Sequence, residues 1–126
     1  MRDGFIKVAV ASPTMKLADP VRNADEMIAL ARQANSKGVR LVAFPELSLT
    51  GYTCGDLFLQ SCLLQSASTQ LLRIAEETSN LNVVLVVGVP FQVADKLYNC
   101  AAVLCAGQGL GIVPKTNIPN YSEFYE

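Results

Sequence analysis

Two charged residues of this chain stand where a β-strand gives way to a loop. Glu46 follows the apolar run Leu41-Val42-Ala43-Phe44 across a single proline, and Lys115 follows Ile112-Val113-Pro114 directly. Ligands of α/β sheets bind outside the carboxyl ends of the strands, so a carboxylate and an ammonium at two such ends are candidates for a charged site. A third group lies close by in sequence, Cys54 in the stretch FPELSLTGYTCGDLF, and raises the question of a nucleophile. Position alone leaves each charge equally readable as a solvated residue capping its strand. Spacing along the chain does not show whether the charges converge.

Composition narrows the chemistry. The chain contains no histidine, which removes Ser–His–Asp triads, Cys–His dyads and histidine-based metal sites from within it. Its four cysteines, Cys54, Cys62, Cys100 and Cys105, form no CxxC pair, so zinc-ribbon spacing is absent. Cys100 and Cys105 lie in an apolar run and read as small core residues. With 126 residues, 51% of them hydrophobic, the chain is one domain able to bury a core. Ten Lys and Arg against eleven Asp and Glu leave a net charge of −1, giving no footprint for a nucleic-acid or membrane-surface partner. No apolar run approaches the roughly 18 residues of a membrane span. The N-terminus Met1-Arg2-Asp3-Gly4 lacks the apolar region of a secretory signal, so the expected location is cytoplasmic, where disulfides are rare.

The elements that must position these groups follow from periodicity. Phe5 to Ala11 and Val39 to Phe44 read as strands. Between them, Asp19-Pro20 opens a helix as N-cap and first helical residue, with Val21, Ala24, Met27, Ile28, Ala31 and Ala34 on one face and Gly38 as the stop. Residues 45 to about 60 form a loop, and Asp56 is expected to cap the helix that follows from Ser61. That helix presents Leu63, Leu64, Ala67, Leu71, Ile74, Ala75 and Thr78 along one stripe. Val83 to Val89 is apolar on both faces, as in a strand covered on both sides. Leu97–Ala106 and Leu110–Val113, flanking Gly107-Gln108-Gly109, read as a β-hairpin. The order is β-α-β-α-β-β-β in an α/β fold, with parallel pairing across the two crossovers.

Several of these stretches together resemble the nitrilase, or carbon–nitrogen hydrolase, superfamily: FPELSLTGY, GDLF, the strand ending VGVP, Tyr98-Asn99-Cys100-Ala101, and VPKTNIPNYSEFYE. The pairing of GYTCGDLF with KTNIPNYSEFYE is similar to the N-terminal glutaminase domain of glutamine-dependent NAD synthetases, and the resemblance runs through the whole chain. It implies an α-β-β-α sandwich of which residues 1–126 are the N-terminal portion. It also implies a Glu–Lys–Cys triad, with Glu46 as general base and Lys115 holding the charged network and stabilising the oxyanion. Tyr52 and Tyr121 would line the substrate pocket, and Glu126, or Glu123, would match the second glutamate of many members. Ordinary packing and solvation remain open for these secondary positions. The substrate implied is glutamine, hydrolysed without metal or other cofactor, its ammonia feeding a synthetase domain absent from these residues that uses ATP and Mg²⁺.

The resemblance places the nucleophilic cysteine on a strand-to-helix turn well beyond the lysine, whereas this chain ends 11 residues after Lys115. Cys54 is not expected to substitute, because the family's loop there contributes pocket wall and no motif supplies an oxyanion site around it. The chain by itself is therefore expected to be inactive. It is also expected to self-associate, because a half-sandwich leaves apolar surface or a sheet edge uncovered. The alternatives are a free-standing amidase or nitrilase-like hydrolase, and a truncated binding or assembly module without catalysis.

Overall fold

The computed structural model describes residues 4–116, 120–121 and 124–125. Five strands form one sheet in sequence order: β1 (Val8–Val10), β2 (Leu41–Ala43), β3 (Val84–Val93), β4 (Lys96–Cys105) and β5 (Gln108–Pro114). Helix α1 (Pro20–Ser36) connects β1 to β2, and α2 (Ser61–Glu77) connects β2 to β3, so these three strands run parallel. From β3 onward the chain doubles back through two hairpins, and β3–β4 and β4–β5 are antiparallel. A separate small ribbon pairs β6 (Asn120–Tyr121) with β7 (Phe124–Tyr125). The mixed α/β sheet expected from the sequence is the sheet found.

Period-two alternation divides the sheet into two faces. Leu85, Val87 and Val89 of β3 are buried, as are Val42 of β2 and Cys100, Ala102 and Leu104 of β4, their cross-strand partners. Against this face pack Ala24, Met27, Ile28 and Ala31 of α1 and Ala67, Leu71, Ile74 and Ala75 of α2, making one core. The other face carries Val8 and Val10 of β1, Val84 and Val86 of β3, and Val113 of β5. Among the described residues that face is poorly covered, Val10 being 85% exposed and Val113 60%. The strand read as buried on both sides is thus covered by helices on one side only.

The helix starts and stops bear out most of the sequence reading. The Asp19 carboxylate accepts from the Arg22 amide at 3.1 Å with Pro20 behind it, and every stripe residue of α2 from Leu63 to Thr78 is buried. Three expectations need correction. Val21 is half-exposed, because Asn23 takes the buried place on the first turn of α1. Asp56 does not cap α2: it sits inside a short 3₁₀ helix, Gly55–Leu59, and Gln60 occupies the N-cap without a side-chain bond. The hairpin turn is shorter than expected, since Gln108 and Gly109 already belong to β5. Ala106 and Gly107 make the bend at φ 52° and 82°, the positive angles that a tight two-residue turn demands. No helix among the described residues is long and apolar enough to cross a membrane.

Candidate active site

Glu46 projects from a tight turn held against β3. As β2 ends, Phe44 still donates its amide to the Val86 carbonyl at 2.9 Å, and Leu49 donates to the Gly88 carbonyl at 3.0 Å. The Gly88 amide in turn donates to the Ser48 hydroxyl oxygen at 3.0 Å. Within the turn, the Pro45 carbonyl accepts from Ser48 and the Leu47 carbonyl accepts from Thr50 and Gly51. Leu47 sits in the left-handed region at φ 51°, a strain of about 1–2 kcal/mol for a side-chain-bearing residue. The burial of Leu47, Ser48, Leu49 and Thr50 holds that conformation.

A second brace comes from α1. Asn23 is buried, donates from its side-chain amide to the carbonyls of Lys16 and Leu49 at 2.8 and 3.0 Å, and accepts from the Lys16 amide at 2.7 Å. The backbone on both sides of Glu46 is therefore fixed by hydrogen bonds to β3 and to α1, and a buried polar group that makes all its bonds is costly to displace.

The geometry settles the question that spacing left open. The Lys115 ammonium lies 2.6 Å from Glu46 Oε1, and the Asn99 side-chain amide donates to the same oxygen at 2.6 Å. The Lys115 amide donates to the Asn99 carbonyl at 2.8 Å, continuing the β4–β5 ladder past Pro114. These groups border a cleft of about 350 Å³, walled by Phe44, Val86, Gly88, Ala101 and Val113 among others. With Glu46 41% and Lys115 28% exposed, both charges are open to a ligand entering the cleft. An apolar hollow with a few convergent polar groups is the usual form of a small-molecule site.

The sequence profile described as carbon-nitrogen hydrolase matches residues 7–126. The chain belongs to the carbon–nitrogen hydrolase family. It is 41% identical over 123 residues to the glutamine-dependent NAD(+) synthetase of Mycobacterium tuberculosis, a match covering 98% of this chain and 18% of that protein. The structure of the glutamine-dependent NAD(+) synthetase from Acinetobacter baumannii superposes with a TM-score of 0.82 at 36% identity, over 94% of this chain and 22% of that one. An amidase from Nesterenkonia shares the fold, with a TM-score of 0.80 at 23% identity, over 98% of this chain and 47% of its own. The chain thus spans about a fifth of the length of these synthetase relatives.

The remaining sequence candidates fall differently around the cleft. Tyr52 is half-buried at the end of the Glu46 turn, and the described lining of the cleft does not reach it. Tyr121 lies in β6, described here by its backbone alone. Glu123 and Glu126 lie outside the described residues.

Cys54 is buried, and its thiol donates to the Thr50 carbonyl at 3.3 Å. Burial pushes this thiol up from its ordinary value, and it does the same to Cys100 in the cleft wall. A raised pKa means less thiolate at neutral pH, the opposite of an activated nucleophile. In native protein at pH 7.5, iodoacetamide followed by peptide mass mapping is expected to label exposed Cys62 well before Cys54 or Cys100. Cys54→Ala is expected to leave hydrolase activity within about twofold of wild type.

Sequence reasoning assigned no individual role to three residues that build the Glu46–Lys115 cluster: Asn99, Gly88 and Ser48. Gly88 had a signal, being a glycine inside the strand Val83-Val84-Leu85-Val86-Val87-Gly88-Val89, where glycine often marks close backbone approach. Asn99 and Ser48 lie in the stretches Tyr98-Asn99-Cys100-Ala101 and FPELSLTGY that carry the resemblance, but nothing in their spacing shows that the fold brings them to Glu46 and Gly88.

Proposed function

We propose that these residues are the N-terminal portion of a domain that, in the full-length protein, hydrolyses the side-chain amide of glutamine, and that the ammonia feeds an ATP-dependent synthetase region of the same polypeptide, which amidates deamido-NAD. The observation that carries the chemistry is the single carboxylate oxygen of Glu46 shared by Lys115 and Asn99 at the mouth of an apolar cleft. The choice of glutamine rests on the similarity to glutamine-dependent NAD(+) synthetases along nearly the whole chain. In this reading the nucleophilic cysteine comes from residues beyond 126, and the 126-residue chain alone is inactive.

Glu46 accepts the thiol proton, and the thiolate attacks the amide carbon, forming a C–S bond and an oxyanion. The Lys115 ammonium stabilises that oxyanion, an effect of the kind worth several kcal/mol in water-poor sites. The C–N bond breaks as the leaving nitrogen takes that proton back from Glu46, which regenerates the carboxylate, and ammonia departs to leave a thioester. Water then adds to the thioester with Glu46 again as base, releasing glutamate and the thiol. In this reading ATP and Mg²⁺ belong to the synthetase region, as the similarity to glutamine-dependent NAD(+) synthetases suggests.

The test is ammonia release by the full-length protein from glutamine, asparagine and simple aliphatic amides, with NAD formation followed in parallel. Glutamine at least about tenfold better than the others in kcat/KM, with NAD formed, is the expected result. Equal or better turnover of aliphatic amides without NAD formation would replace it with a free-standing amidase.

A further inference from the structure

We infer that Asn99 is a positioning residue for the Glu46–Lys115 pair, its side chain setting the carboxylate and its backbone setting the lysine. The inference rests on the proposed role of Glu46 as base. Asn99 reaches both partners by different groups: its amide nitrogen to Glu46 Oε1 at 2.6 Å, and its carbonyl to the Lys115 amide at 2.8 Å. It can do so because it lies on β4 between β3 and β5, opposite Pro90 on one side and one residue before the Cys100–Pro114 pair on the other. Strand alternation puts Asn99 on the same side of β4 as Ala101, a residue of the cleft wall, and the cleft is lined by Asn99 itself.

The chemical consequence lies in which oxygen is engaged. Among the described residues, both donors fall on Oε1 and no hydrogen bond falls on Oε2. Lys115 alone, on a flexible four-carbon stem, could follow the carboxylate through several rotamers. The short amide side chain of Asn99, mounted on a paired strand, removes that freedom. Oε1 is held, and Oε2 is left to take the proton of an incoming thiol. Base catalysis depends on this placement, because an error of about 1 Å can cost on the order of a hundredfold in rate.

The test uses the full-length protein with glutamine as substrate. Asn99→Ala is expected to lower kcat by about 10- to 100-fold while KM changes less than about twofold. Asn99→Asp, nearly the same shape, is expected to fall below Asn99→Ala, because it sets a second carboxylate against Glu46 instead of a donor. A space-filling role for Asn99 predicts the reverse order, with Asp close to wild type. Asn99→Leu, similar in size and without a donor, replaces the Asp arm if that protein does not fold, and is expected to match Ala. Wild-type kcat in Asn99→Ala, or Asp or Leu performing better than Ala, would overturn the inference. Glu46→Gln separates the two levels. If that variant keeps full activity the base assignment fails, whereas inactivity there with a wild-type Asn99→Ala removes only the role of Asn99.

Discussion

Glu46→Gln in the full-length protein is expected to lower glutamine hydrolysis by about a thousandfold while leaving the fold intact, a loss in the usual range for removing a general base. Glutamine keeps the size of the side chain and an oxygen that can accept from Lys115 and Asn99, the two donors at 2.6 Å. It cannot take a proton from a thiol. Glu46 is partly exposed, so the amide carries little burial cost and the thermal midpoint is expected to stay within a few degrees of wild type. The diagnostic measurement pairs two nitrogen sources. With glutamine, NAD formation is expected to collapse. With added ammonium salts it is expected to proceed as in wild type, because the hydrolase step is bypassed. Loss with both sources would mean that Glu46 supports the whole molecule instead of the amide chemistry.

Gly88→Ala carries the second large effect, through packing instead of proton transfer. A β-carbon at this position would lie 2.3 Å from the Leu47 nitrogen, 2.5 Å from the Pro45 oxygen and 2.9 Å from the Glu46 carbonyl carbon. All three are backbone atoms of the turn that carries Glu46, and that turn is bonded to Gly88 itself through Ser48 and Leu49. A side-chain tip could swing aside, but this turn cannot without breaking those bonds. The expected cost is about 3 kcal/mol, at the upper end of ordinary overpacking. Protein that still folds is expected to lose about a hundredfold in kcat, because Glu46 is displaced from Lys115. Gly111→Ala is the control: nothing lies within 4 Å of its β-carbon, and stability within about 0.5 kcal/mol of wild type is expected. Equal behaviour of the two variants in thermal unfolding would refute the close-approach explanation.

Most of the scaffold was legible because local rules suffice for it. Asp19-Pro20 announces α1 by capping chemistry alone, and the leucine and alanine stripe of α2 needs only helical periodicity. The two charges of the site were legible for a similar reason, since each follows a strand at its carboxyl end. Their meeting was not, because 69 residues separate Glu46 from Lys115 and only the strand order brings them together. The same limit hid Asn99, which is 53 residues from its partner. Asp56 misled because its residue type suits a cap, while an intervening 3₁₀ turn moved the start of α2 downstream. Cys54 was set aside as a nucleophile from the sequence, and its thiol is packed inward against the Thr50 carbonyl.

The change from parallel to antiparallel pairing at β3 has a consequence in time. Strands β3, β4 and β5 are joined by tight turns, and hairpins of this kind close within microseconds. Strands β1, β2 and β3 are each separated by a helix, and such pairings wait on the closure of long loops. Asn99 and Lys115 ride on the fast part, whereas Glu46 arrives with the slow one. The carboxylate is therefore expected to join its partners only after the crossover through α2 has closed, which would put the assembled cleft among the last features a refolding chain acquires.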